Sequence, residues 1–136
     1  MCGRYDQLIL EHASSPRRFG HLEAATNVGT RVNRLCGDKV TVELRLSEET
    51  IVDYAFTAEG CAISIASASI LGDLIQNGTV RDATDCSRAL RQLIESDHET
   101  DVSPDLKILA DVGRWPGRKN CVLLAWQAMD AAIQTQ

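Results

Sequence analysis

No stretch of this chain reaches the roughly 18 consecutive apolar residues that a membrane-spanning helix requires. The start of the chain also lacks the pattern of a secretory leader, because the run from Tyr5 to Leu10 is short and Asp6 interrupts it. Positive charge is not in excess: 14 Lys and Arg stand against 19 Asp and Glu, a net charge of −5. That balance argues against nucleic acid or an anionic membrane as the main partner. Internal repeats, linkers and low-complexity segments are missing as well, so residues 1–136 read as one domain. Finally, the chain has no Cys-x-x-Cys pair, so no local metal signature built on that spacing applies.

What is present is an ordinary apolar content of 44%, enough for a core without disulfide staples, and five cysteines. Without a leader the expected location is cytoplasmic. Thiols there stay reduced, and they read as metal ligands or reactive groups before they read as disulfides.

Hydrophobic spacing predicts a helix over 4–13, with Tyr5, Leu8, Ile9 and His12 on one face and Ser14-Ser15-Pro16 ending it. Thr26 to Val32 reads as a short edge strand. Lys39 to Leu46 alternates, with Val40, Val42, Leu44 and Leu46 on one face, and Ile51 to Ala58 follows with Val52, Tyr54 and Phe56 facing inward. The short polar link between them predicts an antiparallel hairpin. Ala62 to Gln76 reads as a helix rich in small residues, closed by Asn77-Gly78 with glycine in the left-handed position. Thr84-Asp85 is expected to cap a third helix, Glu95 to Asp101 to form an acidic loop, and Pro104 to open a fourth helix stopped by Gly113 and Pro116. Cys121 to Ile133 reads as the last helix. Strands first and helices after predict an α+β fold, a small antiparallel three-stranded sheet with α-helices packed on one face.

Three cysteines fall where one element meets the next: Cys36 in Cys36-Gly37-Asp38, Cys61 in Gly60-Cys61-Ala62, and Cys121 after Arg118-Lys119-Asn120. Converged, these thiols and the Asp38 carboxylate would make a four-ligand site for a thiophilic metal or an iron–sulfur cluster. Cys61 and Cys121 at helix starts would give anionic sulfur an electropositive setting. Spacing alone also allows the plainer reading of buried, inert cysteines. Cys2 and Cys86 belong to no such turn, and His12, His21 and His98 show no ligand spacing. Arg17, Arg18, Arg31, Arg34, Arg114, Arg118 and Lys119 either frame the site for an acidic partner or are solvated charges.

The run Tyr5-Asp6-Gln7-Leu8-Ile9-Leu10-Glu11-His12, then Ser15-Pro16-Arg17-Arg18-Phe19-Gly20, Cys36-Gly37-Asp38 and Gly60-Cys61-Ala62-Ile63-Ser64-Ile65-Ala66-Ser67-Ala68-Ser69 resembles the IscU/NifU N-terminal family of iron–sulfur cluster assembly proteins. The long stretch between Cys61 and Cys121, with an insertion expected within Thr84 to Asp101, and Trp115-Pro116-Gly117-Arg118 are similar to the SufU-like branch. The Leu-Pro-Pro-Val-Lys segment that recruits a chaperone to IscU proteins is absent. Asn120 stands where that family has histidine or lysine, a departure from both patterns.

The resemblance implies that Cys36, Asp38, Cys61 and Cys121 hold zinc, or alternatively iron or a [2Fe-2S] cluster. It implies a cysteine desulfurase (SufS-like) as partner, with Cys36 taking the persulfide sulfur as a zinc-dependent sulfurtransferase would. A downstream iron–sulfur scaffold or apoprotein would receive the product. The same residues fit a second activity, a scaffold that builds and passes on a labile [2Fe-2S] cluster. A closed structural zinc site is the third reading, and the oxygen donor of Asp38 speaks against it.

Overall fold

The computed structural model describes residues 4–96, 103–115 and 117–134. Cys2, His98, Pro116, residues 97–101 of the expected acidic loop and the Tyr5 side chain lie outside the described residues. The elements run α1 (Arg4–Ser14), β1 (Asn27–Asn33), β2 (Asp38–Ser47), β3 (Thr50–Glu59), α2 (Ala62–Ile75), α3 (Val80–Ser96), α4 (Pro104–Gly113) and α5 (Lys119–Gln134). The strands form one antiparallel sheet in the order β1-β2-β3. Helices α5 and α2 cover one face of it, α5 over β1 and β2 and α2 over β3, with α1 behind α2 and α4 between α3 and α5. Among the described residues no helix is long and apolar enough to cross a membrane.

The period of two in β2 places Val40, Val42 and Leu44 under the helices, fully buried. In β3 the expected inward set is wrong by one residue at its start. Pairing steps from Arg45↔Asp53 to Leu46↔Ile51, so Val52 is an unpaired bulge. The extra residue flips the parity. Ile51, fully buried, joins Tyr54 and Phe56 in the core, while Val52 stays half-buried.

The opposite face of the sheet is not open solvent. Gly20 N–H donates to Phe56 O (2.8 Å) and Phe56 N–H donates to Arg18 O (3.1 Å), which extends the β3 edge with a piece of the incoming chain. His21 Nδ1 then lies 2.5 Å from Glu43 Oε2, and Leu22 N–H donates to Glu43 Oε1 at 2.9 Å. These contacts explain why Glu43, on the face away from the helices, is nevertheless buried.

Small residues let α2 lie close to its neighbours. Ser64, Ala66, Ser67, Ala68 and Ser69 are all buried, and each buried hydroxyl finds a partner, as a packed interior demands. Ser67 Oγ donates to Val122 O (2.7 Å) and accepts from Trp126 Nε1 (3.1 Å). Tyr54 Oη donates to Ala68 O at 2.8 Å. His12 Nδ1 meets Ser69 Oγ at 2.7 Å and ties α1 to α2.

Three boundaries differ from expectation. Asn77, at φ 75°, takes the left-handed position after α2, a conformation asparagine tolerates, so Gly78 is not the residue that needs it. Helix α3 starts at Val80 because Thr79 and Asp82 cap it reciprocally: Asp82 N–H donates to Thr79 Oγ1 (3.0 Å) and Thr79 N–H to Asp82 Oδ2 (3.1 Å). Thr84 therefore sits inside the helix, and Glu95 and Ser96 belong to its last turn rather than to a loop. Helix α4 opens as expected, with Pro104 in its first turn and Ser103 Oγ accepting from Leu106 N–H at 3.2 Å.

Sheet and helix meet most tightly at Gly29. A Cβ there would lie 2.2 Å from Ala128 O and 2.4 Å from Ala132 N, both backbone atoms of α5 that cannot swing aside. Gly29→Ala is expected to destabilise the fold by about 2 kcal/mol or more. Urea unfolding followed by far-UV circular dichroism checks this, as a fall in midpoint at unchanged slope.

Candidate metal centre

The β1–β2 turn presents Cys36. Gly37 N–H donates to Asn33 O (2.7 Å) and Leu35 N–H donates to Asn33 Oδ1 (3.1 Å), so Asn33 stitches the turn. Gly37 supplies the left-handed φ of 80° the turn needs. Cys36 is left exposed at the turn, while Asp38, the first residue of β2, is only 4% exposed.

Asp38 points at the β3–α2 junction. A Cβ on Gly60 would lie 2.4 Å from both Cγ and Oδ1 of Asp38, so the residue before Cys61 can only be glycine without displacing the carboxylate. Gly60 also has a φ of 151°, which L side chains rarely adopt. Cys61 is the N-cap of α2 and makes no side-chain cap. Its sulfur lies 3.6 Å from Ser64 Oγ, and Ser64 Oγ donates to Asp38 Oδ2 at 2.9 Å.

Cys121 comes from the other side. Helix α5 begins at Lys119, two residues before the expected start, so Cys121 occupies its first turn and is 6% exposed. The Cys36 and Cys121 sulfurs and an Asp38 oxygen lie within 4.8 Å of one another. The Cys61 thiol is not in that mutual set; its sulfur lies beside it, 3.6 Å from the Ser64 hydroxyl that donates to Asp38. A tetrahedral thiolate site with bonds of about 2.3 Å spaces its ligand atoms ~3.8 Å apart, a spacing compatible with the Cys36, Asp38 and Cys121 atoms, which lie within 4.8 Å of one another. Three sulfurs and one carboxylate suit zinc or iron better than magnesium or calcium.

Electrostatics define what the cluster lacks. Burial would push the Asp38 carboxyl up, but hydrogen bonds from the Ser64 hydroxyl, the Cys61 thiol and backbone N–H, and the Cys36 thiol outweigh it and hold the group below its ordinary value. The Cys121 thiol moves the other way, pushed up to about 11 by burial, by its bond with Cys61, and by the negative charge of Cys61, Asp38 and Cys36. This corrects the expected electropositive setting. Near a helix start, burial and like charge win over the helix dipole at Cys121, and a cation is what the donor set calls for.

The remaining candidates fall elsewhere. Cys86 lies inside α3, not at a helix start, and burial pushes its thiol up to about 11. His12 is buried between α1 and α2, its pKa lowered by burial, and exposed His21 faces Glu43. The basic residues divide. Arg17 and Arg18 pair with Asp73, and Arg114 pairs with Asp111 and with Leu93 O, so these three brace the fold. Arg31, Arg34, Arg118 and Lys119 are exposed on the segments that carry Cys36 and Cys121. Asn120 is exposed beside Cys121. Ser64 was missed by sequence reasoning, since a serine in a small-residue helix carries no signal beyond standing three residues after Cys61.

Residues 4–135 match the NifU-like N-terminal domain family. The chain is 30% identical over 132 residues to the zinc-dependent sulfurtransferase SufU of Bacillus subtilis, spanning 95% of this chain and 88% of that one. It is 27% identical over 131 residues to the iron–sulfur cluster assembly scaffold protein IscU of Thermotoga maritima, at 96% and 92% coverage. Among solved structures, the N-terminal part of a nitrogen-fixing NifU-like protein from Brucella abortus superposes with a TM-score of 0.86 at 26% identity, covering 96% of this chain and 92% of that one. A SufU from Fervidobacterium islandicum gives 0.85 at 28% identity, covering 97% and 100%. The chain therefore belongs to the NifU-like N-terminal domain family of IscU- and SufU-type proteins, in its SufU-like branch.

Proposed function

We propose that this chain serves iron–sulfur cluster assembly by accepting sulfur at Cys36 from a cysteine desulfurase, with zinc held by Cys36, Asp38, Cys61 and Cys121. One observation carries the reading: of the thiols gathered around Asp38, Cys36 alone is exposed, while Cys121 is buried and Cys61 half-buried. One sulfur is thus placed to meet a second protein and two are placed to stay behind. The name of the Bacillus subtilis relative, a zinc-dependent sulfurtransferase, supports zinc and sulfur transfer in this reading. The whole chain acts as one unit in this reading, in the cytoplasm, where its thiols stay reduced.

Bound zinc would keep the thiols deprotonated and guarded until the partner arrives. The transfer is a thiol exchange. The Cys36 thiolate attacks the outer sulfur of the desulfurase persulfide, a new S–S bond forms at Cys36 Sγ, and the old S–S bond breaks. The desulfurase cysteine leaves as a thiolate, so no outside oxidant or reductant is needed. Asp38, held by Ser64, keeps an oxygen donor at the centre whose exchange is easier than that of a thiolate.

A scaffold for a [2Fe-2S] cluster is the second reading, favoured by that same oxygen donor and by the Thermotoga maritima relative. Reconstitution separates the two. Zinc-loaded protein is expected to raise desulfurase turnover with cysteine, and Cys36→Ala to abolish the rise while retaining the fold. No stimulation, together with a transferable cluster after anaerobic reconstitution, would decide for the scaffold. Asp38→Ala is expected to slow loss of metal or cluster to a chelator; unchanged or faster loss removes the lability argument. Gly60→Ala, which drives a methyl group into the Asp38 carboxylate, is expected to change the rate of metal loss in the same direction as Asp38→Ala with helical content retained, as measured by competition with a chromophoric chelator.

A further inference from the structure

We propose that the β1–β2 turn is a docking knob, in which Leu35 enters an apolar pocket with an acidic rim beside the persulfide cysteine of the sulfur-donating desulfurase. This rests on the sulfur-acceptor reading. Leu35 is 91% exposed and immediately precedes Cys36, and Val32 on the strand leading into the turn is 51% exposed. A scattered exposed leucine is unremarkable. This one is held out by a turn stitched through both the backbone and the side chain of Asn33, so it cannot fold back onto the sheet without breaking those bonds.

Charge gives the partner its sign. The molecule as a whole carries −5, yet the turn and its flanks carry Arg31, Arg34 and Lys39, and their one acid, Asp38, is buried at the centre. Lys39 sits across from Glu59 in the sheet register and is balanced by it. Arg31 and Arg34 enter no ion pair among the described residues, and neither does Arg118, exposed on the connection that leads to Cys121. A negative molecule with a positive tip around its exposed thiol is oriented by an acidic target, and the attraction acts within about a Debye length, roughly 10 Å in dilute salt. The leucine would then supply the apolar contact that holds the complex once the water is gone. Docking by this turn also delivers Cys36 to the donor sulfur, since the two residues are adjacent in the chain.

The experiment uses the zinc-loaded full chain and the cysteine desulfurase of the same cells, with binding read by biolayer interferometry and sulfur transfer read as a function of acceptor concentration. Leu35→Asp is expected to raise both Kd and the acceptor KM about tenfold or more, with the rate at saturation and the zinc content unchanged. Leu35→Met is expected to restore wild-type binding. Arg34→Glu is expected to weaken binding about tenfold in dilute salt, with the difference closing in concentrated salt. If Leu35→Asp and Arg34→Glu bind like the wild type while the wild type accepts sulfur, the docking knob is overturned and the acceptor reading stands. If the wild type neither binds the desulfurase nor accepts sulfur, both fall.

Discussion

A buried carboxylate must be held by donors or it will not stay ionised, and Asp38 is the place where this chain meets that demand. Its partners come from two segments: Cys36 from the same turn, and Cys61 and Ser64 from the cap and first turn of α2. Gly60 is the condition for all of them, because any side chain there would occupy the space of the carboxylate. The β1–β2 turn, the β3–α2 junction and, through the Ser64 contact with Cys121 O at 3.4 Å, the first turn of α5 are thus referred to one side chain. Each thiol takes its position from an element that also touches Asp38 or its hydrogen-bond partners, so the geometry of the sulfurs follows from the seating of one oxygen donor.

Rigidity around that donor comes from the small-residue face of α2. Bulky side chains would hold the helix away from β3 and α5. Serines and alanines let it approach until Ser67 reaches a carbonyl of α5 and Tyr54 reaches a carbonyl of α2 itself. Gly72 continues the same contact, where a Cβ would strike the Tyr54 ring at 2.6 Å. Close backbone approach with every buried hydroxyl bonded leaves few alternative packings. The helix that carries Cys61 at its tip is therefore fixed against both the sheet and the helix that carries Cys121.

The sequence was most readable where one period or one turn residue decides the outcome. The alternation in β2 marked its inward face, Pro104 marked the start of α4, and the three junction cysteines were recognisable as a group because each stood where a pattern changed. It was least readable where an answer depends on distant partners. The bulge at Val52 is a property of the pairing between two strands, and nothing in the local alternation announces it. The cap at Thr79 and Asp82 moved α3 upstream of Thr84, because a reciprocal pair of bonds outweighs a single capping signal. The thiol of Cys121 was misjudged for a similar reason. Its place near a helix start is local, whereas its burial and its negative neighbours are contributed by the rest of the fold.

The unequal exposure of the sulfurs gives the site a direction. A closed structural site would gain from burying every ligand, since solvent access only speeds exchange and oxidation. Here the turn that carries Cys36 projects it together with Leu35, while α2 and α5 keep Cys61 and Cys121 within the fold. An ion in such a site would be gripped from below by two helix-borne thiols and Asp38, and from above by a thiol on a hairpin tip. The grip from above is the one a partner could replace with least disturbance to the core, because among the described residues the turn is exposed and is held by Asn33, by the Cys36–Asp38 contact and by the ladder bonds of β1 and β2 rather than by buried packing. Exchange at one ligand with retention at the others is what a carrier needs and a structural staple avoids, and the difference lies in which element each thiol is mounted on.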